Sequence, residues 1–539
     1  MRASWCSSIA LILLICMNFS AAHASTLLLA GGHLPLCSSS NAKACSGPAI
    51  AGWQQEQYRY ESSASKLGVA ALAFNEQRNR RVGELLNRAA KLLGNSTHSR
   101  DEFVETLLRV APWSERNADS EVPISAAKVW DGLLDRERDL LLDHFEIVQW
   151  RQPGERLKEG VNLRASDHKI AEIYRAFVAL SAQRSKKKRP RVLIVTASSR
   201  DPFAAVDYYL AAFNQAGADA QWLPLDAALV ATRDCTQLIA NRLKILGSAA
   251  RERVYPDLHA QQLSYCQTPE ALSRALAEAD GVFLNGGDQS LTLRAWFDEQ
   301  GGNRYWKLLA SRLESGEVVL GGTSAGSAVQ SARGPRAAML SGGESSEAWR
   351  SGAQAVSPAE LGCERAGRCA AGQREDALTF EPSGGLGSFA FGVVDTHFSE
   401  RGRQWRLARL LLEREIPAGI GIDEATAAIV ESAGNQLKQV RVIGKGAVWW
   451  LTGVDHQRVA MQPLHDGFAG LPESGGLECA FSTSNPVQLA MDDSSLATQL
   501  RSAAFKKRRH LSVTADAKTF DFCRSQQRWV LRSPSPEKN

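Results

Sequence analysis

The 539-residue chain carries little excess charge of either sign: 63 lysines and arginines stand against 58 acidic residues, a formal net charge of +5. So small a balance provides no field for holding a polyanion, and nucleic acid is not an expected partner. Its dense basic runs, 186–189 and 506–509, are four residues long and read as solvated linker or surface. The chain also has no C-x-x-C and no Cys/His cluster at zinc-ligand spacing. Neither a metal nor another cofactor is therefore expected. One apolar run lies near the N-terminus, too short for a comfortable span, and nothing later is long enough to cross a bilayer. No stable membrane anchor is expected.

What is present has ordinary globular composition, 44% hydrophobic and 22% charged, with 43 Gly and 19 Pro. The length suits two or three domains at roughly 100–200 residues each. Arg2 supplies a positive start, residues 9–17 an apolar core, and Ala22-His23-Ala24 a small-residue cleavage site. Residues 1–24 are expected to be a signal peptide, and the protein to be exported, either periplasmic or secreted. Removing them takes away Cys6 and Cys16 and leaves eight of the ten cysteines. An even count in an oxidising compartment suggests disulfides. Proximity in sequence favours Cys37–Cys45, Cys235–Cys266, Cys363–Cys369 and Cys479–Cys523.

Residues 26–30 form a short apolar run stopped by Gly31-Gly32, the pattern of a buried strand. From about Trp53 to Leu180 the period turns helical. Val82, Leu85, Leu86, Ala89, Leu92 and Leu93 recur at i, i+3, i+4 spacing up to Gly94, and Ile170, Ile173, Tyr174, Phe177 and Leu180 do likewise. After the basic linker, strands at 192–196, 281–284 and 318–321 alternate with helices at 202–216, 269–279 and 303–313. Alternation of this kind implies an α/β fold, a mostly parallel sheet flanked by helices. Sites on such sheets form at the carboxyl ends of strands. The segments are read as 1–24 signal peptide, 25–36 first strand, 37–189 helical insertion, 190–453 catalytic domain and 454–539 a small β-rich extension.

Gly322-Thr323-Ser324-Ala325-Gly326 is a G-x-S-x-G sequence between an apolar strand and the small-residue run Ser327-Ala328-Val329. That context is strand, sharp turn, helix, the turn that exposes a nucleophilic hydroxyl and needs glycines around it. It offers Ser324 as nucleophile and the Ala325 N–H to a developing oxyanion. A serine needs a base, and the base an orienting carboxylate. His397 ends the apolar strand that begins Val393-Val394, and the strand Gly419-Ile420-Gly421-Ile422 runs into Asp423-Glu424. Successive strand residues face opposite ways, so one of that acidic pair can reach His397 while the other holds a loop. Asn285-Gly286-Gly287-Asp288-Gln289 also follows a strand, and its glycines could present a second oxyanion N–H. Arg401, Arg403, Arg406 and Arg409 are read on one helix but not on one face of it, and one or two suit bidentate binding of substrate carboxylates.

Together the segments 285–289, 321–329, 395–403 and 419–426 resemble cyanophycinase, a relative of peptidase E and of class I glutamine amidotransferase domains. The resemblance covers roughly residues 191–451 plus the first strand, and makes the helical region an insertion. It implies a class I glutamine amidotransferase-like fold and a Ser324–His397–Glu424 triad, with Glu424 favoured over Asp423. Gly287 and Ala325 become the oxyanion donors. Gln289, Asp395, Thr396, Arg401, Arg403 and Arg406 fall where the family contacts substrate. The implied reaction is hydrolysis of cyanophycin, multi-L-arginyl-poly-L-aspartate, to β-Asp-Arg dipeptides through an acyl-enzyme. Thr396 departs from the pattern, since the family usually has glutamine there, and it offers a β-linked arginine a shorter side chain and a different donor set.

Other readings use the same residues differently. A peptidase E-like hydrolase of other aspartyl peptides keeps the chemistry and changes the pocket. A non-catalytic exported binding protein would grip a peptide or wall polymer through the insertion. In a lipase or esterase the acid precedes the histidine, whereas here it follows. A glutamine amidotransferase would carry cysteine at the elbow. A homodimer is left open.

Overall fold

The computed structural model describes residues 25–48, 50–72, 75–116, 121–455, 458–472, 510–515, 518–525 and 528–532. The signal-peptide reading, the 506–509 run and Cys479 of the expected Cys479–Cys523 pair lie outside the described residues. In chain order the elements that shape the site begin with β1 (Ser25–Ala30) and the helices α1 (Glu76–Leu93), α2 (Arg100–Leu108), α3 (Asp135–Asp143) and α4 (His168–Ser185). Next come β2 (Arg191–Val195), α5 (Val206–Gln215), β3 (Asp219–Trp222), α6 (Glu270–Glu278) and β4 (Gly281–Leu284). They are followed by α7 (Gln289–Trp296), α8 (Arg304–Glu314), β5 (Val319–Thr323), α9 (Ala325–Ala328), β6 (Val393–Thr396) and α10 (Gln404–Glu413). The C-terminal strands are β7 (Ala418–Ile422), β8 (Thr426–Ala433), β9 (Gln436–Gly444), β10 (Ala447–Asp455), β11 (Arg458–His465), β12 (Ala469–Gly470), β13 (His510–Ala515), β14 (Lys518–Ser525) and β15 (Arg528–Arg532).

The strands form two large sheets. One has the order β12-β9-β8-β1-β5-β4-β2-β3, parallel from β1 to β3 and antiparallel from β1 through β8 and β9 to β12. The other runs β6-β7-β10-β11-β15-β14-β13, with β6 and β7 parallel and every other pair antiparallel. The fold is thus α/β with mixed sheets, where a mostly parallel sheet was expected. The pairs β8–β9 and β10–β11 are each joined by two residues, which leave no room for the helix a parallel crossover requires.

Helix α4 comes from the stretch read as insertion, yet it packs on the main sheet. Its Ile170, Ile173, Tyr174 and Phe177 are buried together with Leu28, Ile194, Phe283 and Val319. The preceding helices bury a core of their own, in which Val82, Leu85, Leu86 and Leu93 of α1 meet Phe103 and Phe145. The helical period of α1 is as expected, and Gly94 caps its end by donating to Ala90 O. Short two-stranded ribbons also stand in this region, such as Trp113–Arg116 with Glu121–Ile124. The boundary read after residue 453 falls inside β10, whose partner β11 continues the second sheet. Among the described residues three cysteine pairs are bonded: Cys37–Cys45, Cys235–Cys266 and Cys363–Cys369. Among the described residues no helix is long and apolar enough to cross a membrane.

Candidate active site

Ser324 stands between β5 and α9 at φ 53°, ψ −120°. A non-glycine residue keeps such a backbone only where its surroundings enforce it. The Ser324 N–H donates to Ala30 O at 3.0 Å. The Ser327 hydroxyl bonds the Ala30 and Gly322 carbonyls, both at 2.8 Å. The neighbouring glycines are a steric requirement: a Cβ on Gly322 would fall 2.2 Å from Gly326 O, and one on Gly326 2.2 Å from Leu284 O.

β6 delivers His397, also at positive φ (50°), with its N–H donating to Gly31 O at 2.8 Å. Nε2 lies 2.8 Å from Ser324 Oγ, and Nδ1 2.7 Å from Glu424 Oε1. A carboxylate that accepts from Nδ1–H leaves Nε2 as the acceptor for the serine hydroxyl. Burial lowers the His397 pKa below the usual 6.5; the Glu424 hydrogen bond opposes this, and Arg401 and Arg403 add to it. A neutral imidazole results, the form that can take a proton.

The two adjacent acids have different partners. Asp423 accepts from the Ser399 and Ala447 N–H groups, both at 2.9 Å, and so ties two loops. Glu424 is the one that meets the histidine, and its own N–H donates to Glu400 Oε2 at 3.0 Å.

Gly286 packs on the nucleophile, with a built Cβ only 3.2 Å from Ser324 Cβ. Gly287 follows at φ 142°, closed against the Ser198 carbonyl. Among the described residues the Gly287 and Ala325 N–H groups have no backbone acceptor. Gln289, the first residue of α7, turns its amide to Leu340 O at 2.6 Å.

The expected substrate contacts divide. Asp395, 1% exposed, accepts from Arg406 Nε at 2.8 Å and Nη2 at 2.6 Å, and from the Thr396 N–H at 2.8 Å. Arg406, 4% exposed, also donates to Gly343 O at 2.6 Å. A carboxylate at the buried end of a strand needs a cation beside it. These two residues are engaged with each other and brace the site, where substrate contact was expected. Arg401 and Arg403 precede α10, which begins at Gln404, so they lie in its approach turn and not on the helix. Arg403 donates to Thr396 O at 2.8 Å, and burial with the nearby Arg406 charge pushes its guanidinium down to about 9. Arg401 is exposed, with its N–H donating to His397 O at 3.1 Å. Arg409 pairs with Glu413.

Sequence reasoning missed two supports. Gly32 was read only as a strand stop, yet a Cβ there would lie 2.4 Å from the His397 ring. Asn285 was read without a role of its own. Its Oδ1 accepts from the Ser198 N–H at 3.1 Å and its Nδ2 donates to Ser199 Oγ at 2.7 Å, which ties the Gly286-Gly287 segment to the loop after β2. A glycine pair closing the first strand was the signal for Gly32, but nothing local pointed to a histidine 365 residues on.

A serine on a strained strand-to-helix turn, bonded to a histidine that is backed by a carboxylate, is the arrangement of serine hydrolases. The chain is a distant relative of the cyanophycinases. It is 26% identical over 236 residues to the cyanophycinase of Nostoc sp. (strain PCC 7120), covering 44% of this chain and 65% of that one. With the Geminocystis herdmanii cyanophycinase it shares 26% over 276 residues, 50% of this chain and 74% of that one. With that of Thermosynechococcus vestitus it shares 31% over 179 residues, 33% and 43% of the two chains. The chain thus spans less than two thirds, 65%, of the Nostoc relative's length. A solved peptidase from an acI-B1 Actinobacterium matches with TM-score 0.32 at 17% identity, over 56% of this chain and 91% of that one. No family model matches the chain.

Proposed function

We propose that the protein is an exported serine peptidase of the cyanophycinase type, with Ser324 as nucleophile, His397 as general base and Glu424 as the carboxylate that orients it. The observation that carries this reading is the continuous hydrogen-bonded line from Ser324 Oγ to His397 Nε2 (2.8 Å) and from His397 Nδ1 to Glu424 Oε1 (2.7 Å). Ser324 Oγ attacks the scissile carbonyl carbon as its proton passes to Nε2. Glu424 stabilises the imidazolium that forms. The N–H groups of Gly287 and Ala325 receive the developing oxyanion. Collapse expels the amine, which takes the proton from His397 and leaves an acyl-enzyme. Water, deprotonated by the same histidine, then releases the acid.

The substrate class under this reading is a polymer or peptide of aspartate, with cyanophycin first and β-Asp-Arg as product. Arg403 supports an anionic ligand. It is largely buried beside Arg406, its carboxylate neighbour Asp395 stands 3.6 Å away and is bonded more closely to Arg406, and a substrate carboxylate there would offset the remaining positive charge. One observation favours a second reading, a peptidase E-like hydrolase of other aspartyl peptides. Position 396 is threonine, and neighbouring Asp395 is bonded to Arg406, which leaves less for a β-linked arginine to grip.

The test is incubation of the mature protein, and of Ser324→Ala, with insoluble cyanophycin granules, reading soluble products by mass spectrometry. β-Asp-Arg from the wild type alone is the expected result. Intact granules together with fluorophosphonate labelling at Ser324 would move the substrate to other aspartyl peptides. Neither cleavage nor labelling would leave a binding protein.

A further inference from the structure

We infer that Asp143 and Arg200 are positioning residues through which the inserted helical unit holds the oxyanion segment Gly286-Gly287 in place; this rests on the serine-peptidase reading above. The connection can be followed bond by bond. Asp143, the last residue of α3, accepts from both ends of the Arg200 guanidinium, at 2.7 Å and 2.9 Å. A bidentate pair sets the plane of the guanidinium as well as its distance. Arg200 also donates to Gly247 O at 2.8 Å.

Arg200 directly follows Ser198-Ser199, and that dipeptide grips the oxyanion segment on both sides. Before the glycines, Asn285 is tied to the Ser198 N–H (3.1 Å) and to Ser199 Oγ (2.7 Å). After them, the Asp288 N–H donates to Ser198 O at 2.7 Å. The same carbonyl lies where a Gly287 Cβ would be, 2.2 Å from it. A shift of the 198–200 turn therefore carries the Gly287 N–H with it.

Asp143 is itself held from several directions. It accepts from the Ala249 N–H at 2.9 Å and faces Arg251, a buried guanidinium that also pairs with Glu146 (2.7 Å) and Asp201 (2.6 Å). The far end of α3 is anchored too. The Asp135 N–H donates to Leu361 O at 3.0 Å, Arg365 pairs with Asp135 at 2.7 Å, and Arg368 with Glu137 at 2.6 Å. α3 is thus braced at both ends, and its Asp143 end holds the 198–200 turn, which in turn grips the oxyanion segment.

The test compares Arg200→Gln, Arg200→Lys and Arg365→Gln, all in the full mature protein. It reads the fluorophosphonate labelling rate at Ser324, affinity for a peptide boronate, kcat, KM and Tm. A misplaced donor costs up to about 100-fold, so Arg200→Gln should lower kcat and labelling by roughly tenfold or more. Boronate affinity should fall in step, while KM stays within about twofold. Arg200→Lys, which cannot pair bidentately, should recover only part of the loss. Arg365→Gln should lower Tm with the labelling rate unchanged. If Arg200→Gln does not fold, Ser199→Ala removes one of the two Asn285 bonds, leaving that to the Ser198 N–H, and should show the same split at a smaller size. Labelling by Arg200→Gln at the wild-type rate, or a loss matched by Arg365→Gln, overturns the inference and leaves the peptidase reading standing. A wild type that takes up no label overturns that reading, and this inference with it.

Discussion

Gly32 stands where the imidazole of His397 leaves no space for a side chain: a Cβ on it would lie 2.4 Å from both Cε1 and Nε2 of the ring. The first strand of the chain therefore sets the position of a histidine delivered by β6, far along the sequence. The same strand end reaches the serine, since Ala30 O accepts the Ser324 N–H and the Ser327 hydroxyl.

Gly32→Ala should be far more damaging to activity than its size suggests. The new methyl displaces the ring, and the residue sits at φ 105°, where an L side chain is strained by about 1–3 kcal/mol. A loss on the order of 100-fold in fluorophosphonate labelling is expected from a base moved by about 1 Å. Labelling kinetics beside a thermal melt check it, and wild-type labelling would refute the steric account.

The two neighbouring acids should separate cleanly by substitution. Glu424→Gln removes the acceptor of His397 Nδ1–H and should lower kcat by on the order of 10³- to 10⁴-fold with little change in Tm. Asp423→Asn disturbs a carboxylate that accepts two backbone N–H groups and should destabilise by about 1–3 kcal/mol. Denaturant titration with kinetics on both variants tests the division of roles.

The pH dependence follows from the histidine. Activity needs neutral His397, and burial lowers its pKa, so the acid limb of the labelling rate should have its midpoint below 6.5. Because Arg401 helps to lower that pKa, Arg401→Ala should move the midpoint upward, toward 6.5. A midpoint above 6.5 in the wild type would contradict the burial argument.

Arg406→Met should leave the buried Asp395 carboxylate with only the Thr396 N–H and the more distant Arg403, 3.6 Å away, and destabilise the protein by about 3–5 kcal/mol. Burial pushes the Asp395 carboxyl up, but the charge and hydrogen bonds of Arg406 hold it below the usual 3.8. In the wild type its stabilising contribution is therefore intact above pH 3.8 and is lost as the pH falls through the lowered value. In Arg406→Met the deficit should instead shrink as the pH falls and Asp395 takes up a proton. Unfolding of both proteins across pH 3 to 7 reads the two slopes.

Much of this site was legible before any coordinate. The strand before Ser324, the glycines around it and the strand ends at His397 and Glu424 are local patterns, each enforced within about ten residues. The arginines were less legible. A helix is read through Arg401 and Arg403, but the chain turns before α10 starts at Gln404, with Gly402 at positive φ. Sheet direction is hidden for a similar reason: apolar strands look alike in sequence, whereas the two-residue connections of β8–β9 and β10–β11 make those pairs antiparallel.

By itself the sequence determined which residues could act and on which strand ends they stand, because side-chain alternation and the glycine demand of a sharp turn are properties of neighbouring residues. Side-chain alternation left Asp423 and Glu424 open and the resemblance favoured Glu424, which the tertiary structure sets against the histidine; only that structure decided that Asp395 and Arg406 face each other and that Asp143 of α3 reaches Arg200. Those are distances between residues brought together by packing, and no local period encodes them.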